Sequence, residues 1–202
     1  MPVALVLASG SPRRLSLLQD CGLQPMVRVA GIDESVQPGE IAQDYVARLA
    51  REKNAYIRAQ VEDQIVVIAA DTTVVIDDIL CGKPADFSQA RDLWQRMGGR
   101  WHEVWTSVCV AQGLVEKQCT VRTRVLMTGM DEAQMRAYWA SGEPVDKAGG
   151  YAIQGRGGVL VRAIEGSYSN VVGLPLAETV QLLREFDVAI WEDRHADQSQ
   201  YG

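Results

Sequence analysis

Val3-Ala4-Leu5-Val6-Leu7-Ala8-Ser9-Gly10-Ser11-Pro12-Arg13-Arg14 joins two segments of different character. The first six residues form a continuous apolar run, the pattern of a strand buried on both faces. Ser11 then offers an N-cap oxygen and Pro12 suits the first helical turn, so a helix is predicted to start here. Leu15, Leu18 and Cys21 give that helix one apolar face, and Gly22 is its predicted stop. A strand running straight into a helix sets the theme for the rest of the chain.

Outward from this junction, strands and helices stay interspersed. Ile41, Tyr45, Val46, Leu49 and Ala50 recur at helical spacing and predict a helix over Glu40 to Gln60. Ile65 to Ala70 is a second buried strand, expected to end at Asp71, with a β-rich pattern resuming from Thr73 to Ile76. Asp77-Asp78 is a predicted turn, and a helix over Phe87 to Met97 is closed by Gly98-Gly99. Trp101 to Ala111 alternates, with His102, Val104, Thr106, Val108 and Val110 on one face. Gly113 then marks the turn into a partner strand over Lys117 to Thr128. A helix over Asp131 to Ser141, a strand over Val159 to Ile164 and a helix over Pro175 to Phe186 complete the pattern. Asp146 to Gly158 shows no regular element, and Glu192 to Gly202 is a polar tail. The expected fold class is α/β, a mixed sheet with flanking helices, as one domain over residues 1–191.

Composition narrows the function. At 202 residues with 47% hydrophobic content the chain can bury one useful core. Its 26 acidic and 20 basic residues leave a net charge of −6, which argues against a general nucleic-acid binder. A small anion remains compatible, because a local cluster of cations suffices to hold one. Cys21, Cys81, Cys109 and Cys119 form no C-x-x-C pair and complete no zinc pattern with His102 or His195. They read as thiols in a reducing compartment. The apolar start lacks a basic flank, and no run is long enough to span a bilayer, so a cytoplasmic protein with no membrane partner is expected.

The chemistry is expected at the opening junction. A helix N-terminus presents free N–H groups and partial positive charge to an anion. Ser9 and Ser11 add hydroxyls, and Arg13 and Arg14 add forked donors suited to phosphate. The plain alternative is a capped helix with two solvated arginines, although arginine at that end opposes the helix dipole. Asp71, following six apolar residues at the expected carboxyl end of a strand, can bind a divalent metal or take a proton from water. Glu34 is a candidate second oxygen ligand, or merely a solvated loop glutamate. Lys53 and Lys83 are candidate phosphate partners, Lys53 having a solvated surface role as its alternative. Gln154 lies in a glycine-dense segment and can offer a donor and an acceptor to a pyrimidine edge; a simple surface loop fits that segment too. His102 on an apolar strand face reads as structural. Gly82-Lys83 is not the end of a P-loop, because Asp77 stands where its first glycine belongs. Gly155 to Leu160 fails the dinucleotide fingerprint at Leu160.

Taken together, Ser9-Gly10-Ser11-Pro12-Arg13-Arg14, Ile32-Asp33-Glu34, Arg51-Glu52-Lys53, Ala70-Asp71-Thr72, Gly82-Lys83-Pro84, Asp146-Lys147-Ala148-Gly149, Tyr151-Ala152-Ile153-Gln154-Gly155 and Val172-Gly173-Leu174-Pro175 resemble the Maf family of nucleoside triphosphate pyrophosphatases. The resemblance implies two lobes around a central cleft, similar to inosine triphosphate pyrophosphatases, together with a homodimer. It implies hydrolysis of a nucleoside triphosphate to the monophosphate and pyrophosphate, with a divalent cation (Mg, Mn or Co). Asp71 would be the proton acceptor, and Ser9, Arg13, Arg14, Glu34, Lys53 and Lys83 would line the substrate and metal site. Arg13, Thr72 and Gln154 match the subgroup acting on dTTP and UTP, whereas the 7-methyl-GTP subgroup carries Trp, Glu and His. The competing expectations are a nucleotide-binding regulator of cell division and a pyrophosphatase for an altered purine triphosphate.

Overall fold

A computed structural model describes residues 3–191. The expectation for the tail at 192–202 lies outside the described residues. In chain order the elements are β1 (Leu5–Leu7), α1 (Pro12–Asp20), β2 (Met26–Val27), α2 (Ala42–Arg58), β3 (Val66–Ile76), β4 (Ile79–Cys81), α3 (Phe87–Met97), β5 (Trp101–Gln112), β6 (Val115–Met127), α4 (Glu132–Ala140), β7 (Val161–Glu165), α5 (Tyr168–Val172) and α6 (Leu176–Arg184). The strands form one mixed sheet in the order β2-β1-β3-β5-β6-β7, with β4 also on β3. β1 pairs parallel with β2 and β3, and all other pairs are antiparallel. This is the α/β mixed sheet that the interspersed pattern predicts.

The three long strands organise the molecule. β5 pairs with β3 from Val67↔Ala111 to Val75↔Glu103 without a break, and β6 continues the ladder from Trp101↔Leu126 to Gln112↔Val115. On one face of β3, Val66, Ile68 and Ala70 join a core with α1 and α6, while Val74 and Ile76 join a second core with α3 and α4. The two cores sit at opposite ends of the same strands. On the other face, Val67 and Ala69 pack with Val6, Ala8 and Ile57 of α2.

The apolar run from Ile65 to Ala70 predicts a strand that closes at Asp71. Asp71 does not end a strand; β3 runs on through Asp71-Thr72-Thr73 to Ile76. The drop in hydrophobicity at Asp71 looks like an end, but the residues after it are β-branched and suit the ladder. What does change near Asp71 is the opposite edge of β3. There β1 pairs only with Val66, Val67 and Ile68, and β4 only with Val74, Val75 and Ile76. Residues 69–73 therefore face a gap between two short strands. β1 leaves that gap into the Ser9–Arg14 junction, and β4 leaves it into Gly82-Lys83.

Local chemistry explains the turns that deliver these segments. Asp77 and Asp78 both have positive φ (51° and 60°), which a two-residue β3–β4 hairpin requires and which Asp tolerates better than most residues. The Ser11 side chain accepts from the Arg14 amide and caps α1, with Pro12 in its first turn.

Candidate active site

A cavity of about 520 Å³ opens at the gap in β3. It is lined by all nine residues singled out from the sequence: Ser9, Arg13, Arg14, Glu34, Lys53, Asp71, Thr72, Lys83 and Gln154. They come from six separate stretches of chain. The cavity also holds Tyr45, Asp146, Lys147, Tyr151 and Gly173, which sequence reasoning did not select as site residues. Five cations (Arg13, Arg14, Lys53, Lys83, Lys147) stand against three carboxylates (Glu34, Asp71, Asp146) in its wall. A protein of net charge −6 thus concentrates a positive surplus in one place.

Asp71 and Thr72 are neighbours on β3 and so point to opposite faces of the sheet. Asp71 meets α2. The buried face of that helix carries Val46, Leu49, Ala50, Asn54 and Ile57, and this period also takes in Lys53. Asn54 fixes the helix to the sheet by donating to the carbonyls of Val67 and Cys109. Lys53, 9% exposed, then reaches Asp71 Oδ1 at 2.6 Å and Glu34 Oε1 at 2.7 Å. The sequence expectation put this ammonium on triphosphate oxygens; the structure puts it between two carboxylates. Its neighbours at helical spacing were the signal that it would not be a solvated surface lysine.

Burial raises the pKa of Asp71 above the ordinary carboxylate value, while Lys53 and Arg14 pull the other way. A carboxyl of raised pKa is a better proton acceptor once ionised. Tyr45 stands two helical turns before Lys53, and its hydroxyl donates to the Glu34 carbonyl at 2.9 Å. Burial, then the charges of Asp71 and Glu34, push its phenol up to about 12. Glu34 itself rides on a loop that Arg48 ties to α2, through Glu40 at 2.6 Å and the Ser35 carbonyl at 3.0 Å.

Thr72 meets the other side. Its hydroxyl accepts from Arg14 Nη2 at 3.0 Å and lies 2.9 Å from the Thr106 hydroxyl. Arg14 also donates from Nε to the Gly173 carbonyl (2.8 Å) and from Nη1 to Ser9 Oγ (3.1 Å). Burial lowers the Arg14 pKa, yet a guanidinium stays charged. Arg14 is therefore a strut joining α1, β3 and the end of α5. Arg13 and Lys83, in contrast, line the cavity but have no side-chain hydrogen-bond or ion-pair partner among the described residues. Asn170 in α5 went unread in the sequence. It donates to the Val104 carbonyl and Thr123 Oγ1, locking the short helix that presents Gly173.

Glu34 and Asp71 place one oxygen each within 2.7 Å of a single cationic atom. Among the described residues no cluster of three or more His, Cys, Asp or Glu could hold a metal. Two hard oxygens converging on one point fit an ion such as magnesium, which takes one or two carboxylates and completes its shell with water and phosphate oxygens. His102 lies away from this chemistry, 2% exposed, with Nε2 2.6 Å from the Tyr151 hydroxyl. It is structural, as its place on an apolar strand face suggests.

Fold and cavity together define a mixed α/β protein with a carboxylate-bearing, cation-rich pocket at a gap in its central sheet. The chain belongs to the Maf-like protein family, which it matches over residues 4–186. It is 50% identical to a Hahella chejuensis protein called dTTP/UTP pyrophosphatase, over 94% of this chain and 95% of that one. Proteins of the same description from Myxococcus xanthus and Acinetobacter baylyi are 51% and 48% identical, over 89% and 88% of this chain and 90% and 97% of theirs. Among solved structures, a Coxiella burnetii HAM1 protein is similar at a TM-score of 0.42 and 15% identity, over 62% of this chain and 73% of that one. Among the described residues no helix is long and apolar enough to cross a membrane.

Proposed function

We propose that this protein hydrolyses nucleoside triphosphates to the monophosphate and pyrophosphate, with dTTP and UTP preferred. The observation that carries the reading is Asp71, a buried carboxylate with raised pKa, opening into the same cavity as Arg13 and Lys83, two cations without a side-chain partner among the described residues. The names of relatives at about 50% identity agree with it.

In this reading Asp71 accepts a proton from the water that attacks the α-phosphorus. The bond from that phosphorus to the α–β bridging oxygen breaks, and its electron pair leaves with pyrophosphate. Arg13 and Lys83 neutralise charge on the triphosphate, and the N-terminus of α1 faces the same space. Arg14 holds Ser9 and Thr72 in register. Lys53 keeps the Glu34 and Asp71 carboxylates together before substrate arrives. Glu34 and Asp71 would hold a divalent cation, which when bound supplies further charge neutralisation to the phosphates. Gln154 presents an amide to the base edge. Thr72, its hydroxyl engaged by Arg14 and Thr106, contributes shape.

The test is a panel of triphosphates with magnesium, manganese or cobalt, assayed separately for pyrophosphate and orthophosphate. Pyrophosphate should appear first, fastest from dTTP and UTP. Orthophosphate as the first product would make the enzyme a phosphatase and discard the reaction assignment.

A further inference from the structure

Gln154 lines the cavity, but its side chain has no hydrogen-bond partner among the described residues. Whatever fixes its position must act on the backbone. Behind the cavity wall stand two residues that do not line it, Glu143 and Tyr138. Glu143 Oε1 accepts from the Tyr138 hydroxyl (2.8 Å) and the Gly157 amide (2.8 Å), and Oε2 accepts from the Arg156 amide (2.9 Å). The Tyr138 hydroxyl in turn accepts from the Ala152 amide at 3.1 Å. Residues 152–157 are thus pinned at both ends to one carboxylate–phenol pair, with Ile153 and Gln154 spanning the interval. The chain wraps this pair closely. A Cβ on Gly155, where φ is +72°, would lie 2.5 Å from Glu143 Oε2, and one on Gly157 would lie 2.3 Å from the Tyr138 hydroxyl. The Glu143 carbonyl also accepts from Lys147 Nζ at 2.6 Å, so the same residue restrains a cavity cation.

Helix α4 carries Tyr138 and is rigidly begun. Its Asp131 and Gln134 form a reciprocal capping box. Burial alone would raise the pKa of Glu143, but hydrogen bonds from Arg156, Gly157 and Tyr138 outweigh it and hold the carboxyl below its ordinary value. The clamp is therefore ionised near neutrality, and its hydrogen bonds are charge-assisted.

We propose that Glu143, with Tyr138, is a positioning residue for nucleotide selection: it fixes the turn that aims Gln154 at the base and restrains Lys147 beside it. The proposal rests on the pyrophosphatase reading for the identity of the ligand. A clamp that only staples the fold would cost stability and leave selectivity alone; a positioning clamp sets KM and base preference.

The measurements are steady-state kinetics with dTTP, UTP, CTP and dATP, plus equilibrium binding of the non-hydrolysable α,β-imido analogues of dTTP and dATP. Glu143→Ala should raise KM for dTTP and UTP by ~10-fold, the scale of one lost charge-assisted hydrogen bond. Its kcat should stay within ~3-fold of the parent, since no reacting atom is touched. Preference among bases should flatten to that of Gln154→Ala, and the double variant should be no worse than either single one, because both act through one turn. Glu143→Gln, which keeps one acceptor oxygen, should recover part of the preference, and Tyr138→Phe should fall between. Should Glu143→Ala not fold, Tyr138→Phe, lacking one hydroxyl, decides the matter by the same readouts. Unchanged KM and preference, with a lowered melting temperature, would overturn the proposal. A parent protein that releases no pyrophosphate would instead sink the reaction assignment; loss of analogue selectivity in Glu143→Ala would still support the clamp, and its retention would reject it.

Discussion

In the proposed reaction Asp71 is the proton acceptor, and its buried environment makes a claim about pH. Burial raises its pKa, so the ionised base is lost at a pH above the ordinary carboxylate range as acid is added. Lys53, 2.6 Å away, works against burial by favouring the charged form. Replacing it with methionine removes that support and leaves the desolvation in place. The acidic limb of kcat/KM in Lys53→Met should therefore move to higher pH than in the parent protein. A limb that stays put, or moves lower, would mean that Asp71 is not the group titrating. Asp71→Asn should lower kcat by about 10²- to 10⁴-fold, the usual worth of a general base, with the fold intact by circular dichroism. These residues were legible in the sequence because Asp71 closes an apolar run and the arginines sit where a helix dipole disfavours them. Tyr45 and Lys147 were not. A tyrosine on the apolar face of a helix reads as core, and a lysine beside an aspartate carries no local mark of a cavity.

Among the elements, the junction before α1 shows how two adjacent arginines divide labour. Arg14 donates to Gly173, Ser9 and Thr72 and so ties α1 to α5 and β3, whereas Arg13 has no such partner among the described residues. Lysine cannot reproduce the forked donor set of a guanidinium. Arg14→Lys should cost about 2 kcal/mol in urea denaturation, in the range for buried hydrogen bonds to a charged group. Arg13→Lys should change stability by less than about 0.5 kcal/mol, as surface substitutions do, while weakening substrate. Equal stability losses in the two variants would contradict this division. The long elements were readable because periodicity accumulates over many residues: α2, β5, β6 and the turn at Gly113 fall within two residues of expectation. β2 and β4 escaped notice, at two and three residues, because period-2 alternation cannot register over so short a span. The false end assigned to β3 has a different cause. Hydropathy reports burial, and Asp71 belongs to a strand that stays paired on one edge while the other opens into the cavity.

At the scale of the whole molecule, the two cores at either end of β3 and β5 are separate stores of stability, and the second contains a titratable group. His102 packs in it opposite Val125, with Nε2 on the Tyr151 hydroxyl and Nδ1 without a partner among the described residues. Burial pulls its pKa down to about 4 from 6.5. Above pH 6.5 the imidazole is neutral in both folded and unfolded chains and contributes no pH dependence. As pH falls from 6.5 toward 4 the unfolded chain takes the proton first, so stability is lost through that window, by up to about 3 kcal/mol. Asp71 works in the opposite sense. With its folded pKa raised, the folded chain gains a proton earlier than the unfolded one, and stability rises as acid is added. Carboxyls held low by their partners, such as Asp33, Glu40 and Asp77, cost stability only once pH falls below about 4.5. The clean interval is thus pH 6.5 to 4.5, and the clean comparison is a difference between two proteins. His102→Gln keeps a hydrogen-bonding group for Tyr151 and removes the titration. Subtracting its unfolding free energy from that of the parent at each pH cancels Asp71 and leaves His102 alone. That difference should slope across the interval, the parent losing more; a flat line would show that the buried imidazole takes up its proton in the folded protein as readily as in the unfolded one.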